Sequence, residues 1–205
     1  MFCNRVATTV EQERLNSHGE SQNNLYSRPR RLARKLVLEA LSGSASICRT
    51  QRIHTYPYRP GRRSHLNSAA VDLSTHIADI VNLIKWEELS DVVLCGHSYA
   101  GFVITGVADQ IPDRIRALVY LDAFVLENGE SFMDIVPSEV AQAVRDQAKA
   151  TGEGWKVNPI PAHILGVRDP HDVAWVDAQC TPQAMATFEE RINLTGNLEH
   201  TQDVA

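Results

Sequence analysis

The sequence predicts an α/β fold, a parallel sheet covered by helices, and three observations in its middle third carry that expectation. Two short apolar runs, "DVVLCG" at 91–96 and "ALVYLD" at 117–122, read as strands buried on both faces. Each run follows an amphipathic helical pattern with short connections, and a serine flanked by small residues marks the turn out of the first run. Helix, strand, helix, strand in that order builds a parallel sheet with helices packed on it.

The chain of 205 residues fits one domain with room for an inserted subdomain, long enough to bury a substantial core. Its 43% apolar and 22% charged content is that of a globular chain rather than a disordered one. No run of about 18 apolar residues is present to span a membrane, and the first residues lack the apolar stretch of a secretory signal. Cys3, Cys48, Cys95 and Cys180 are scattered without a C-x-x-C pair, which argues against a zinc site or a disulfide framework and suits a reducing cytoplasm.

Charge divides the chain. Residues 1–65 carry a net +8 and residues 66–205 a net −13. The basic cluster "RPRRLARK", Arg28 to Lys35, has no aromatic residues interleaved for base stacking, so it reads as a solvated helix face rather than a nucleic-acid site.

Taken in order, residues 1–28 are polar with no useful period, and little packed structure is expected there. "RLARKLVLEAL" at 31–41 predicts a helix ending near Gly43. "SGSAS" is loop, and a strand around Arg52 to Tyr56 is soon broken by Pro57 and Pro60. "AAVDLSTHIADIVNLIKWEEL" aligns Leu73, Ile77, Ile80, Val81 and Ile84 on one helical stripe. After the first apolar run, "YAGFVITGVADQIP" reads as a helix stopped by Pro112, and the second apolar run follows. From Glu127 to about Arg191 come helical patches, "SEVAQAVRDQAKA" and "PHDVAWVDAQ", with no further buried-strand run. Helices inserted after a sheet strand suit a cap over an active site.

The stretch "LCGHSYAG" at 94–101 carries the chemistry. A serine hydroxyl needs a base to take its proton and N–H donors to hold the oxyanion that its attack creates. In the G-x-S-x-G pattern Gly96 lets the backbone fold sharply after the strand, His97 precedes Ser98 at the apex, and the small Ala100 stands where the pattern has glycine, with Gly101 next. The N–H of Tyr99, at the helix start, can face a developing oxyanion. The plainer alternative is a helix-capping serine without chemistry.

These residues resemble the α/β-hydrolase fold, in the branch of small bacterial esterases related to plant methylesterases and hydroxynitrile lyases. The resemblance runs from about Gly61 to Gly196, through "RSHLNSAAVDLSTHIADIVNLIKWEELSDVVLCGHSYAGFVITGVADQIPDRIRALVYLDAFV" and, more loosely, "VDAQCTPQAMATFEERINLTG". It implies Ser98 as nucleophile, the Tyr99 N–H as oxyanion donor, a cap over about 127–190, a small ester substrate, and neither metal nor organic cofactor. Asp122 ends the second strand, on the sheet edge that Ser98 occupies. Some members of the fold place the catalytic acid there, which makes Asp122 the candidate acid.

The family's first strand ends in His-Gly, whereas here His18-Gly19 follows no apolar run. The family also carries an acid and a histidine after the cap, but this sequence reaches "NLEHTQDVA" soon after it. A partial, truncated form of the fold is therefore expected, with the catalytic histidine not identifiable. His97 points away from its neighbour, His163 and His171 fall in the cap, and His200 lies in a polar tail. The expected organisation is an atypical, poorly ordered segment at 1–50, a core at 51–126, a helical cap at 127–191 inserted after the strand ending at Asp122, and a tail at 192–205. The expected function is a cytoplasmic serine hydrolase acting through an acyl-enzyme, with small-molecule but no nucleic-acid or membrane partners. The alternatives are a non-catalytic homologue binding a small apolar ligand and a hydroxynitrile-lyase-like activity.

Overall fold

A computed structural model describes residues 5–11, 50–55, 66–197 and 203–204. The predicted helix at 31–41, the Arg28–Lys35 cluster, His18-Gly19 and His200 lie outside the described residues.

Five strands form one mixed sheet: β1 (Arg5–Glu11), β2 (Thr50–Thr55), β3 (Val92–Ser98), β4 (Ile115–Ala123) and β7 (Asp203–Val204), in the spatial order β2-β1-β3-β4-β7. β3, β4 and β7 run parallel, while β1 is antiparallel to both of its neighbours. Parallel neighbours need a crossover, which α2 (Ala100–Gln110) and a 3-10 turn at Pro112–Arg114 supply between β3 and β4. β1 falls in a segment expected to hold little packed structure. Its "RVATTVE" is rich in β-branched Val and Thr, and β-propensity rather than apolar alternation forms the strand.

α1 (Leu73–Trp86) is opened by Asp72, whose carboxylate accepts from the Thr75 N–H at 2.8 Å. It buries Leu73, His76, Ile77, Ile80, Val81 and Ile84. β-Branched residues cost up to about 0.7 kcal/mol each in a helix. Burying an Ile or Val side chain contributes roughly 1.5–3 kcal/mol, so packing decides the conformation. α2 is buried from Ala100 to Asp109 and forms the centre of the core with α1, Leu94 and Leu118.

One expectation about the strands is corrected. β3 alternates, with Val92, Leu94, Gly96 and Ser98 buried and Val93, Cys95 and His97 only half-buried. β4 likewise has Leu118 buried and Leu121 and Asp122 exposed. α2 follows directly from β3 and packs on the face of Gly96, so that face is the one sealed.

Beyond β4 the chain forms α3 (Phe132–Ile135), α4 (Ser138–Thr151), α5 (Pro170–Gln179) and α6 (Ala186–Glu189). α4 and α5 lie where the two helical patches predict them. A two-strand ribbon, β5 (Lys156–Val157) paired with β6 (Gln183–Ala184), lies among these helices where no strand was expected, because two residues carry no readable period. The ribbon and α6 return to the core: Glu190 accepts from the N–H and hydroxyl of Ser74 at 2.7 and 2.5 Å, which puts a carboxylate at the start of α1.

Candidate active site

β3 ends at Ser98 and α2 begins two residues later, so the turn between them is as tight as the sequence suggested. The backbone strain falls on the serine, whose φ is +55°, a left-handed conformation that costs a non-glycine residue roughly 1–3 kcal/mol. Gly96 is not at positive φ, which corrects its expected role. A Cβ there would come within 2.7 Å of the Ala100 carbonyl oxygen, so Gly96 is needed for close approach of strand and helix. Gly101 serves the same end, since a Cβ would overlap the carbonyl oxygen of Phe124. Ala100 is itself fully buried, with its methyl accommodated. The Phe124 N–H donates to the Ser98 carbonyl at 3.1 Å, tying the turn to the exit of β4.

Ser98 is 2% exposed, more enclosed than a serine at a turn apex was expected to be. His97, half-buried, lies on the opposite strand face with Cys95, where burial raises the thiol pKa. Tyr99 precedes α2 in helical conformation, so its N–H belongs to the first helical amides, which have no intrahelical acceptor. Asp122 sits near the C-terminal end of β4, at a register shift that leaves it unpaired with β3 while Ala123 pairs with Ser98, and it has φ +44° and is exposed. Among the described residues it forms no ion pair. His163 and His171 are exposed and far along the chain, in the helical segment.

The Tyr99 side chain was not anticipated as part of the site. It is fully buried, and its hydroxyl stands 3.0 Å from His76 Nδ1. Burial drives the phenol pKa well above its usual value and pushes His76 down to about 4, against the opposing pull of Asp72. Tyr99, Phe102, Phe124, Phe132 and Phe188 form a connected set of rings with centroids 5.2–6.4 Å apart, joining the serine turn to α3 and α6. One signal could have found His76. It lies on the apolar stripe of α1, where a polar side chain must have a buried partner.

The three ligand atoms nearest to a metal-binding arrangement, on Asp169, His171 and Asp172, lie within 4.8 Å of one another at the exposed start of α5. Asp169 already accepts the N–H groups of His171 and Asp172, which is the arrangement of a helix N-cap.

A family model described as the alpha/beta hydrolase family matches residues 49–201. The chain is 46% identical over 144 residues to a carbendazim hydrolyzing esterase of Nocardioides sp. (strain SG-4G), covering 66% of this chain and 59% of that protein. It thus spans less than two thirds of that relative's length. Among solved structures, an extracellular alpha/beta-hydrolase from a Paenibacillus species, described as sharing structural and functional homology with tobacco salicylic acid binding protein 2, superposes with a TM-score of 0.58 at 25% identity. That match covers 63% of this chain and 55% of the other. Among the described residues no helix is long and apolar enough to cross a membrane.

Proposed function

The chain belongs to the alpha/beta hydrolase family, and on that premise we propose that it is a serine esterase in which Ser98 attacks a small carboxylic ester. The observation that carries this reading is the left-handed φ of Ser98 between a parallel strand and a buried helix, with glycines admitting the close approach on both sides. Such strain at a polar residue persists only where the surroundings enforce it, and here it falls on the serine that ends β3, at the same end of the sheet as Asp122.

In the proposed reaction Ser98 Oγ bonds to the acyl carbon while its proton passes to a base. The carbonyl oxygen becomes an oxyanion facing the Tyr99 N–H, and collapse expels the alcohol, leaving an acyl-serine that water then hydrolyses. Asp122 is the candidate acid. No histidine is assigned as base: His97 faces away, His76 is engaged with Tyr99, and His163 and His171 are exposed among the helices that follow β4. No metal or organic cofactor enters the scheme. A cytoplasmic location is part of the proposal and rests on the scattered cysteines. The Paenibacillus neighbour is described as extracellular, so fractionation of the native host tests it.

A second reading, a small-ligand binder without turnover, is favoured by the burial of Ser98. Labelling with a fluorophosphonate separates the two. An esterase is labelled at Ser98, loses the label in Ser98→Ala, and hydrolyses p-nitrophenyl acetate or carbendazim, the compound in the relative's name. A folded wild-type chain that takes no label sinks the catalytic reading.

A further inference from the structure

Tyr99 contributes two groups to this fold, a main-chain amide at the serine turn and a hydroxyl buried far from it. The ring meets His76, Phe102 and Phe188 edge-on, with centroids 5.7, 5.4 and 5.5 Å away. Its oxygen meets α1 through His76, and its ring meets α6 through Phe188.

Along the 3.0 Å contact the tyrosine hydroxyl either donates to an unprotonated Nδ1 or accepts from an Nδ1–H, and both arrangements tie the phenol to the imidazole. Burial keeps His76 neutral in either case, with its pKa pushed down to about 4.

We propose that His76 clasps the Tyr99 hydroxyl and thereby holds the Tyr99 amide at the position of the developing oxyanion, linking the serine turn to α1. His76 and the Tyr99 hydroxyl are positioning groups, since neither is assigned to touch the substrate. The rigidity is geometric. The Tyr99 Cα is fixed on one side by the strained turn and on the other by a side chain held at its far end, and an oxyanion donor acts only when its position is set before the reaction. Glu190, bonded to Ser74, holds the β6–α6 segment against the N-terminus of α1 and closes the loop of contacts. The role of the amide rests on the esterase reading, whereas the clasp itself does not.

The test compares Tyr99→Phe, His76→Leu and His76→Asn with wild type. The readouts are kcat and KM on p-nitrophenyl acetate, fluorophosphonate labelling rate and melting temperature. The expected result is a fall in kcat and labelling rate of about tenfold to a hundredfold for Tyr99→Phe and His76→Leu, with KM within about twofold. His76→Asn, whose side-chain amide can still hydrogen-bond the phenol, recovers most of that loss, and Tyr99→Phe combined with His76→Leu is no worse than either alone. Unchanged kcat and labelling in a folded Tyr99→Phe overturns the positioning role. A nitrogen-detected NMR spectrum of the wild-type chain between pH 5 and 8 decides the clasp even where no variant folds. A neutral His76 ring with a hydrogen-bonded Nδ1 throughout supports it, and a titrating ring or a free Nδ1 overturns it. If wild type takes no label but shows that bonded ring, the esterase reading fails and the clasp stands as an anchor of Tyr99.

Discussion

His76 lies on a helix stripe otherwise made of Leu, Ile and Val, and its burial sets how stability depends on pH. Its folded pKa of about 4 lies below the 6.5 usual for an imidazole, so between these values the unfolded chain binds the extra proton. The stabilisation is present above about pH 6.5 and is lost as pH falls towards 4, amounting to about 3 kcal/mol across the window. Urea denaturation at a series of pH values should show this slope in wild type and a flatter one in His76→Gln; parallel slopes would mean that His76 is not buried neutral. A second residue-scale prediction concerns Gly101, where a methyl would overlap the Phe124 carbonyl oxygen and force α2 away from β4. Gly101→Ala should destabilise by about 1–3 kcal/mol, from the repacking needed to admit one carbon, and should lower labelling at Ser98. Wild-type stability in that variant would show that the turn gives way freely. The sequence announces the serine turn through its spacing of small residues. It does not say which residue bears the left-handed backbone, because Gly96 is the conformationally permissive residue and yet the strain falls on Ser98.

At the scale of elements, α2 is held at both ends by contacts distant in sequence. Its start is locked by the glycine approach to Phe124, and its last turn carries Asp109, 1% exposed, where a carboxylate opposes the helix dipole by roughly 0.3–1 kcal/mol. Four hydrogen bonds reverse that balance: the N–H and hydroxyl of Thr195 reach Oδ2 at 2.7 and 3.0 Å, and the N–H groups of Gly196 and Asn197 reach Oδ1 at 3.0 and 2.9 Å. Each bond to a charged acceptor contributes about 1.5–3 kcal/mol, so the pinning of 195–197 far outweighs the dipole. Asp109→Asn, which turns one acceptor oxygen into a donor facing donors, should cost about 2–4 kcal/mol in urea denaturation and open the chain near Thr195 to proteolysis. An unaltered midpoint would show that those bonds contribute little. α1, β3, α2 and β4 were legible in the sequence because each has a strong period of its own. β1 was not, since its β-branched threonines read as polar, and neither were the β5–β6 ribbon nor the aromatic set around Tyr99. Those depend on partners such as Phe188, which no local pattern brings to residue 99.

For the molecule as a whole, the sheet has one strongly sealed face and one incomplete edge. β7 pairs with β4 only at Ala117 and Leu118, so from Val119 to Ala123 the far side of β4 has no strand partner among the described residues. That stretch carries Leu121, 49% exposed, and leads to Val125, 56% exposed, which places apolar side chains beside backbone groups that have no strand partner among the described residues. Such an edge is a template for pairing with another chain, and charged side chains, lysine above all, are the usual means of blocking it. The same end of the sheet carries Ser98 and Asp122, so association there would also restrict access to the candidate site. Two effects compete in solution. The net charge of −5 favours dispersal through a repulsion that salt screens, whereas apolar edge pairing does not weaken with salt. If the edge dominates, light scattering of the purified chain should rise with protein concentration and persist or increase in high salt. Leu121→Lys with Val125→Lys should then lower the scattering while leaving the melting temperature of the dilute chain within a degree or two, because both side chains are already half in water. Scattering that is independent of concentration in wild type, or unchanged by the lysines, would mean that the edge is closed in solution.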